Sequence, residues 1–293
     1  MARCMVLFVE GVEPTLLDSL VDSGRLPWFA AAREAGTTFP LDCGPVPYEP
    51  TNLATALCGV GPGEHGCYSY WDVHAATRPP RILESSDVRA PWMWQWEELA
   101  DVEWGIVNVQ LTHPPKPLRG ALLTYPMQPS LRICHPPNLL HDLIKRDVRY
   151  AADVSVFYRG HAPQTFFESV LDVAERQLDA EVELAQEVDV LIANLTIADR
   201  LSHFLWHEVE EGRERLGRAP YVVDAYEFLD HAVARLAERV EEGGTVLVAS
   251  EIGFGPLDGF ARLDDWLQEV GLQRRHDDGR IDVVAPQIGR AHV

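Results

Sequence analysis

The chain has 293 residues, of which 46% are hydrophobic, an ordinary value for a globular protein with a sizeable buried core. It has 25 basic and 45 acidic residues, so its net charge is −20. Such a charge repels nucleic-acid phosphates, and we therefore expect no nucleic-acid partner. A small anionic ligand would need a local positive centre, which a bound metal ion can supply.

Membrane and disulfide signals are absent from the sequence. No stretch approaches the roughly 18 apolar residues that cross a bilayer, and the opening apolar run leads straight into a charged motif, unlike a secretory signal. The five cysteines are odd in number and contain no CxxC pair, which disfavours zinc-ribbon and thioredoxin-like sites. We therefore expect a cytoplasmic protein with reduced thiols and no membrane partner.

In chain order, apolar runs bounded by turn residues alternate with helical patterns. Strands are predicted at 4–9, 104–109, 121–124, 188–194 and 245–250, and helices near 51–58, 136–145, 164–187, 219–241 and 261–269. This alternation predicts an α/β fold with a mostly parallel central sheet and helices on both faces. Pro, Trp and Tyr are frequent in about 68–95 and 110–160, which we interpret as loop-rich cap segments of a single domain spanning residues 1–293.

Acidic residues follow three of the predicted strands. Glu10 follows the first strand, Asp199 follows the strand at 188–194, and Glu251 follows the strand at 245–250. In a mostly parallel sheet, ligands bind beyond the carboxyl ends of the strands. We therefore expect these carboxylates to converge at one edge of the sheet, although Glu251 taken alone would ordinarily be an acidic residue in solvent.

Two further patterns are candidates for ligand binding. Asp199 and His203 are four residues apart, so they share a helix face and can ligate one divalent ion, although the same spacing more often marks a hydrogen-bonded pair. A helix beginning near Thr51, after Pro50, would present free backbone N–H groups to an anion. The alternative is an ordinary loop capped by Thr51.

Four segments, in this order, resemble motifs of the type I phosphodiesterases and nucleotide pyrophosphatases, which belong to the alkaline phosphatase superfamily. They are VEGVEP at 9–14, YEPTNLATALCGVGPGEHG at 48–66, ADRLSHFLW at 198–206 and SEIGFGP at 250–256. SGRLPWFAAAREAG at 23–36 and VNVQLTHPP at 107–115 are similar to two supporting stretches of the family. The resemblance covers nearly the whole chain and implies an alkaline phosphatase-like fold.

The resemblance also implies a metal site, with altered ligands. Its members are Glu10, Glu49, Asp199, His203 and Glu251, and the histidines left downstream, His276 and His292, are candidates for additional ligands. Glu10 stands where the family has Asp, and Glu251-Ile252 stands where it has Asp-His. Because clustered carboxylates raise one another's pKa, we infer one or two bound divalent ions. Oxygen ligands favour Mn, Fe or Mg over Zn, and Zn stays among the candidates.

The catalytic residues implied by the resemblance are Glu49 and Thr51. Counting back from His65 places Glu49 at the position of the family's nucleophilic Thr, with Thr51 two residues later. Asn52 and Arg200 are candidate substrate-binding residues, and Arg200 is alternatively a salt-bridged neighbour of Asp199.

Three functions fit these observations. The first is divalent-metal-dependent hydrolysis of a small phosphate ester or related anionic ester, with either Thr51 or a metal-activated water as nucleophile and Glu49 as ligand or base. The second is a repurposed dinuclear Mn or Fe carboxylate enzyme that performs redox or lyase chemistry on a small metabolite. The third is a non-catalytic scaffold, which the retained Asp199 and His203 count against. The oligomeric state is left open.

Overall fold

The fold is described from a computed structural model, which covers residues 1–72, 80–152, 158–160, 162–259, 261–277 and 281–283. The strands are β1 (Ala2–Val9), β2 (Trp71–Asp72), β3 (Arg81–Ile82), β4 (Trp104–Val107), β5 (Gly120–Leu123), β6 (Cys134–His135), β7 (Val190–Leu195), β8 (Val240–Ala249), β9 (Gln273–Arg275) and β10 (Ile281–Val283). The helices are α1 (Pro14–Asp22), α2 (Pro27–Ala35), α3 (Glu49–Cys58), α4 (Pro62–His65), α5 (Leu139–Lys145), α6 (Pro163–Leu184), α7 (Ile197–Leu216), α8 (Tyr221–Ala237) and α9 (Leu263–Glu269).

Six strands form one sheet in the order β6-β5-β4-β7-β1-β8. Neighbouring strands run parallel except for the antiparallel pair of β5 and β6. Val9 of β1 pairs with Leu195 of β7, and Phe8 pairs with Ala249 of β8, so these three strands end at the same edge. The prediction of a mostly parallel central sheet is confirmed.

Alternating side chains of β1 enter two separate hydrophobic cores, as expected of a strand covered on both faces. Met5, Leu7 and Val9 pack in one core with helices α1, α2 and α5 to α8. Phe8 packs in the other core with the buried face of α3. Helices therefore cover both faces of the sheet, as the sequence predicts, and each fully buried aliphatic side chain contributes roughly 1.5–3 kcal/mol.

Several predicted elements differ from the structure by a few residues, and two of the differences concern elements that lead to the predicted site residues. The strand predicted at 245–250 begins at Val240 and lies at the edge of the sheet, where the Leu247 side chain is 47% exposed. An apolar, β-branched run fits an edge strand as well as a central one, because the strand order is not encoded locally. The helix predicted to begin near Thr51 begins two residues earlier, at Glu49, with Pro50 in its first turn.

The chain divides into two compact units. Met1–Gly255 contains the six-stranded sheet and helices α1 to α8, and Pro256–Val293 contains α9 and the antiparallel pair of β9 and β10. The single-domain interpretation and the cap segments stay predictions. In the described ranges, each helix is too short or too polar to cross a bilayer.

Candidate functional site

The turn after β1 brings Glu10 against the beginning of α7. The Glu10 backbone N–H donates to the Leu195 carbonyl at 3.1 Å, which extends the pairing of β1 with β7 by one residue. Gly11 then has a φ of +76°, and a Cβ built there would lie 2.8 Å from both Cα and Cβ of Asp199. Glycine meets both requirements, a left-handed backbone and the close approach to Asp199. Because Gly11 lies against Asp199, the preceding residue Glu10 is a neighbour of Asp199.

Hydrogen bonds connect the other two segments of the site to this turn. The Ser250 hydroxyl accepts from the Val12 N–H at 3.2 Å and donates to the Ile252 carbonyl at 2.8 Å. The Asn52 amide donates to the Glu251 carbonyl at 2.8 Å and thereby ties α3 to the segment after β8. The substrate-binding role of Asn52 stays a prediction.

The structure brings together the four carboxylates that follow the strands or begin α3. Glu10 and Glu251 are 4% and 3% exposed, and Glu49 and Asp199 act electrostatically on both. Burial raises the pKa of Glu10 well above its ordinary value, and the charges of Asp199 and Glu251 raise it further. Burial, followed by the charges of Asp199 and Glu49, raises the pKa of Glu251 to about 8. Acidic groups are therefore concentrated in a dry site, where burial and mutual repulsion disfavour their ionised forms.

Two buried amides hold the Glu10 carboxylate. Gln110 Nε2 and Asn194 Nδ2 both donate to Glu10 Oε2, at 2.6 and 2.5 Å. The sequence motifs do not predict these contacts, although a signal was present: each amide lies at, or just beyond, the carboxyl end of an apolar strand. Polar residues at such positions are worth treating as candidate site residues.

Glu49 and Thr51 occupy different surroundings. Burial and the charge of Asp199 raise the pKa of Glu49. A side-chain hydrogen bond from Tyr70, another residue not predicted from the sequence, opposes this rise. Thr51 is 1% exposed, and its hydroxyl has no hydrogen-bond partner within the described residues. Residues two apart on a helix point about 200° apart, so the Thr51 and Glu49 side chains leave α3 on different sides.

Asp199 and His203 form a hydrogen-bonded pair, which is the alternative to metal ligation that their spacing allows. His203 Nε2 lies 3.3 Å from Asp199 Oδ1, and this hydrogen bond raises the pKa of His203. The imidazole contacts the ring of Phe254 edge-on, with 5.2 Å between ring centroids. Their ligation of a metal stays a prediction.

The remaining predicted residues have separate positions. Arg200, on the first turn of α7, donates from Nη2 to the Tyr125 hydroxyl at 3.1 Å. His276 is exposed and follows β9 in the second compact unit. His292 lies outside the described residues. The roles of all three stay predictions.

The chemistry of the site fits a divalent cation. Both carboxylate oxygens of Glu251 are buried, and neither has a hydrogen-bond partner in the described ranges. A cation would satisfy these oxygens and offset the repulsion among the carboxylates. Among the described residues, no three His, Cys, Asp or Glu side chains are grouped in a way that could hold a metal ion. A cation therefore fits the donor types, and the ligand set itself stays a prediction.

The fold and the site define an α/β protein with a buried, acidic site at the carboxyl edge of a parallel sheet. The chain belongs to the type I phosphodiesterase / nucleotide pyrophosphatase family, whose model matches residues 4–293. None of the curated proteins compared with the chain matches it.

Among solved structures, the chain is similar to phosphonoacetate hydrolase from Sinorhizobium meliloti 1021. The complex with phosphonoformate is 16% identical and the complex with phosphonoacetate is 17% identical, each with a TM-score of 0.59. Both alignments cover 93% of this chain and 63% of the hydrolase, so this chain spans less than two thirds of that enzyme. The similarity confirms the alkaline phosphatase-like fold.

Proposed function

We propose that the chain is a divalent-metal-dependent hydrolase that acts on a small phosphate ester or a related anionic ester. The observation that carries the proposal is the convergence of Glu10, Glu49, Asp199 and Glu251 in a largely buried site. Buried carboxylates at this density must be protonated or neutralised by a cation. Membership of the phosphodiesterase family supports phosphorus as the centre of reaction.

The carboxylates, together with His203, would hold one or two divalent ions. Their oxygen-rich composition favours Mn or Fe, with Zn as the further candidate. When bound, the ion supplies positive charge to the phosphoryl oxygens as negative charge develops on them. The same charge would attract a small anionic substrate to a protein whose net charge is −20.

Glu49 is the best candidate for proton transfer. It stands at the family's nucleophile position, and its raised pKa lies closer to neutral pH than that of an ordinary Glu, which suits a general base acting on water. Tyr70 opposes the rise in the pKa of Glu49. Arg200, which contacts the Tyr125 hydroxyl, is the candidate for binding the anionic substrate.

Phosphate or alcohol release from a panel of two phosphate esters and one phosphonate tests the proposal. The panel contains a phosphodiester, a phosphomonoester and phosphonoacetate, each assayed with Mn, Fe or Zn. We expect metal-dependent turnover, and we expect Glu49→Gln to lower kcat about 100-fold or more, since proton transfer by a positioned group contributes about that much. Thr51→Val, a near-isosteric change on the same helix, should leave most of the activity.

Two outcomes contradict the assignment of Glu49. One is a covalent phosphoryl adduct on Thr51, detected by intact-mass and peptide mass spectrometry. The other is a Thr51→Val variant as inactive as Glu49→Gln. Absence of turnover on every ester, with metal bound, would overturn hydrolysis itself.

Non-hydrolytic chemistry is the second candidate, and one observation favours it. The family's Asp-His pair is replaced by Glu251-Ile252, so the site has lost an imidazole and kept carboxylates. Such a ligand set suits a Mn or Fe pair that performs redox or lyase chemistry. Oxygen uptake by the iron-loaded protein with small metabolites distinguishes this candidate, which fails if no uptake or elimination product appears.

A further inference from the structure

Glu10 is held by two side-chain amides that come from neighbouring strands. Asn194 lies within β7, and Gln110 follows β4, the next strand in the sheet. Their nitrogens lie 2.5 and 2.6 Å from one carboxylate oxygen, Oε2. Both amides are fully buried, at 0% exposure, so this contact is excluded from water.

The two amides also fix each other. Asn194 Nδ2 lies 3.2 Å from Gln110 Oε1, so one amide group donates to both the carboxylate and the second amide. The backbone of Asn194 is held in turn, because Asn108 Nδ2 donates to its carbonyl at 3.0 Å. The Gln110 amide is therefore held through both its nitrogen and its oxygen, and the Asn194 amide through its nitrogen.

This arrangement does more than fill a core. Both hydrogen bonds end on Oε2, which leaves Oε1 to a further partner. A carboxylate held through one oxygen presents the other in a fixed direction, as a metal ligand requires.

The same two hydrogen bonds also matter for the difference between this chain, which has Glu at position 10, and the family, which has Asp there. Glu has one more rotatable bond than Asp, and an unrestrained Glu loses more side-chain entropy when it is held by a ligand. Two donors on one oxygen remove that freedom before a ligand arrives. The fixed carboxylate is then ready for binding.

We propose that Gln110 and Asn194 are positioning residues, an amide clamp that fixes the Glu10 carboxylate and directs its second oxygen to the divalent cation. This inference rests on the proposed function, because it takes Glu10 as a ligand of that cation. It predicts that the two amides act on metal affinity only through Glu10.

Titration of the metal-free protein with Mn²⁺, followed by the electron paramagnetic resonance signal of free Mn²⁺, tests the clamp. The variants are Gln110→Met, which keeps the shape and removes the donor, and Asn194→Ser, which is the second variant if the first does not fold. Each is made with Glu10 intact and with Glu10→Gln. Gln177→Met is the matched control, since Gln177 is a buried glutamine whose Nε2 donates to a backbone carbonyl, that of Ala151. Circular dichroism verifies folding.

We expect each clamp variant to weaken Mn²⁺ binding about 10- to 100-fold when Glu10 is present, as loss of a residue that supports a metal ligand typically does. In the Glu10→Gln background the same substitution should have no further effect, and Gln177→Met should bind like the wild type. Unchanged affinity, or equal losses in both backgrounds, would overturn the clamp and leave the proposed function standing. A folded wild type that binds no Mn²⁺, Fe²⁺ or Zn²⁺ would overturn the proposed function and the clamp with it.

Discussion

Two buried glutamates illustrate how surroundings, more than residue type, determine chemistry. The pKa values of Glu181 on α6 and Glu251 are both raised to about 8. For Glu181 the cause is burial alone, whereas Glu251 also experiences the charges of Asp199 and Glu49. A cation near Glu251 would relieve all of these effects, so only Glu251 should respond to metal. Glu181 is therefore a matched control for the site.

The stability of the metal-free protein should fall as the pH rises from 5 to 8. Between the ordinary pKa of 4.5 and the folded value of about 8, Glu251 is ionised in the unfolded chain and protonated in the folded one, so rising pH favours unfolding. Glu251→Gln should lessen this loss by up to roughly 4 kcal/mol. Urea unfolding at pH 5 and pH 8 in the presence of a chelator measures the difference.

The control variant separates burial from metal binding. Glu181→Gln should also lessen the loss of stability with pH, because its carboxyl group is equally buried. Added Mn²⁺ should raise the Tm of the wild type and of Glu181→Gln, and raise that of Glu251→Gln much less. Identical pH dependence in the wild type and Glu251→Gln would contradict the description of Glu251 as a buried, protonated acid.

At the scale of elements, the site depends on how closely β1 approaches α7. Gly11 closes this gap, with Asp199 Cα only 2.8 Å from the position of a Cβ. Ser250 and Asn52 add hydrogen bonds that connect the segment after β8 to the same turn and to α3. The carboxylates therefore share one site because strand ends and helix starts are joined by short-range contacts.

Gly11→Ala should disturb both stability and metal binding. The new Cβ would be strained by the positive φ and would also push against Asp199, so we expect a loss of about 1–3 kcal/mol together with weaker Mn²⁺ binding. Gly24→Ala is the control, since Gly24 has a similar φ of +75° and open space around it. It should lose some stability and bind Mn²⁺ normally. Equal Mn²⁺ affinity in both variants, measured by calorimetry, would argue against the close approach as a determinant of the site.

The predicted strands account for much of the fold, because the hydrophobic pattern that predicts a strand lies within the residues of that strand. The apolar run of β1 is covered on both faces, and its hydrophobic pattern alone predicts this. The edge position of β8 could not be predicted in this way, because it depends on which strands pair across the sheet. Likewise, Gln110 reaches Glu10, and Tyr70 reaches Glu49, only once the loops that carry Gln110 and Tyr70 are folded.

At the scale of the whole molecule, an acidic protein gathers a group of buried and half-buried carboxylates at one edge of the sheet. Glu10, Asp199 and Glu251 are separated by long stretches of sequence, and parallel strand order brings them together. Sequence position after a strand predicted this convergence, because parallel strands β1, β7 and β8 end at one edge. Several of the 45 acidic residues thus lie together in a dry site, for which a cation gives a physical reason.

The metal content of the purified protein is the most direct test of whether a cation explains the gathered carboxylates. Mass spectrometry of the elements should find about one or two equivalents of Mn, Fe or Zn per chain in the wild type and in Glu181→Gln, the range expected for a mononuclear or dinuclear site. In the double variant Glu10→Gln/Glu251→Gln the content should fall well below one equivalent. A folded wild type that remains metal-free when all three metals are supplied, or a double variant that keeps the full content, would contradict a cation as the reason for the gathered carboxylates.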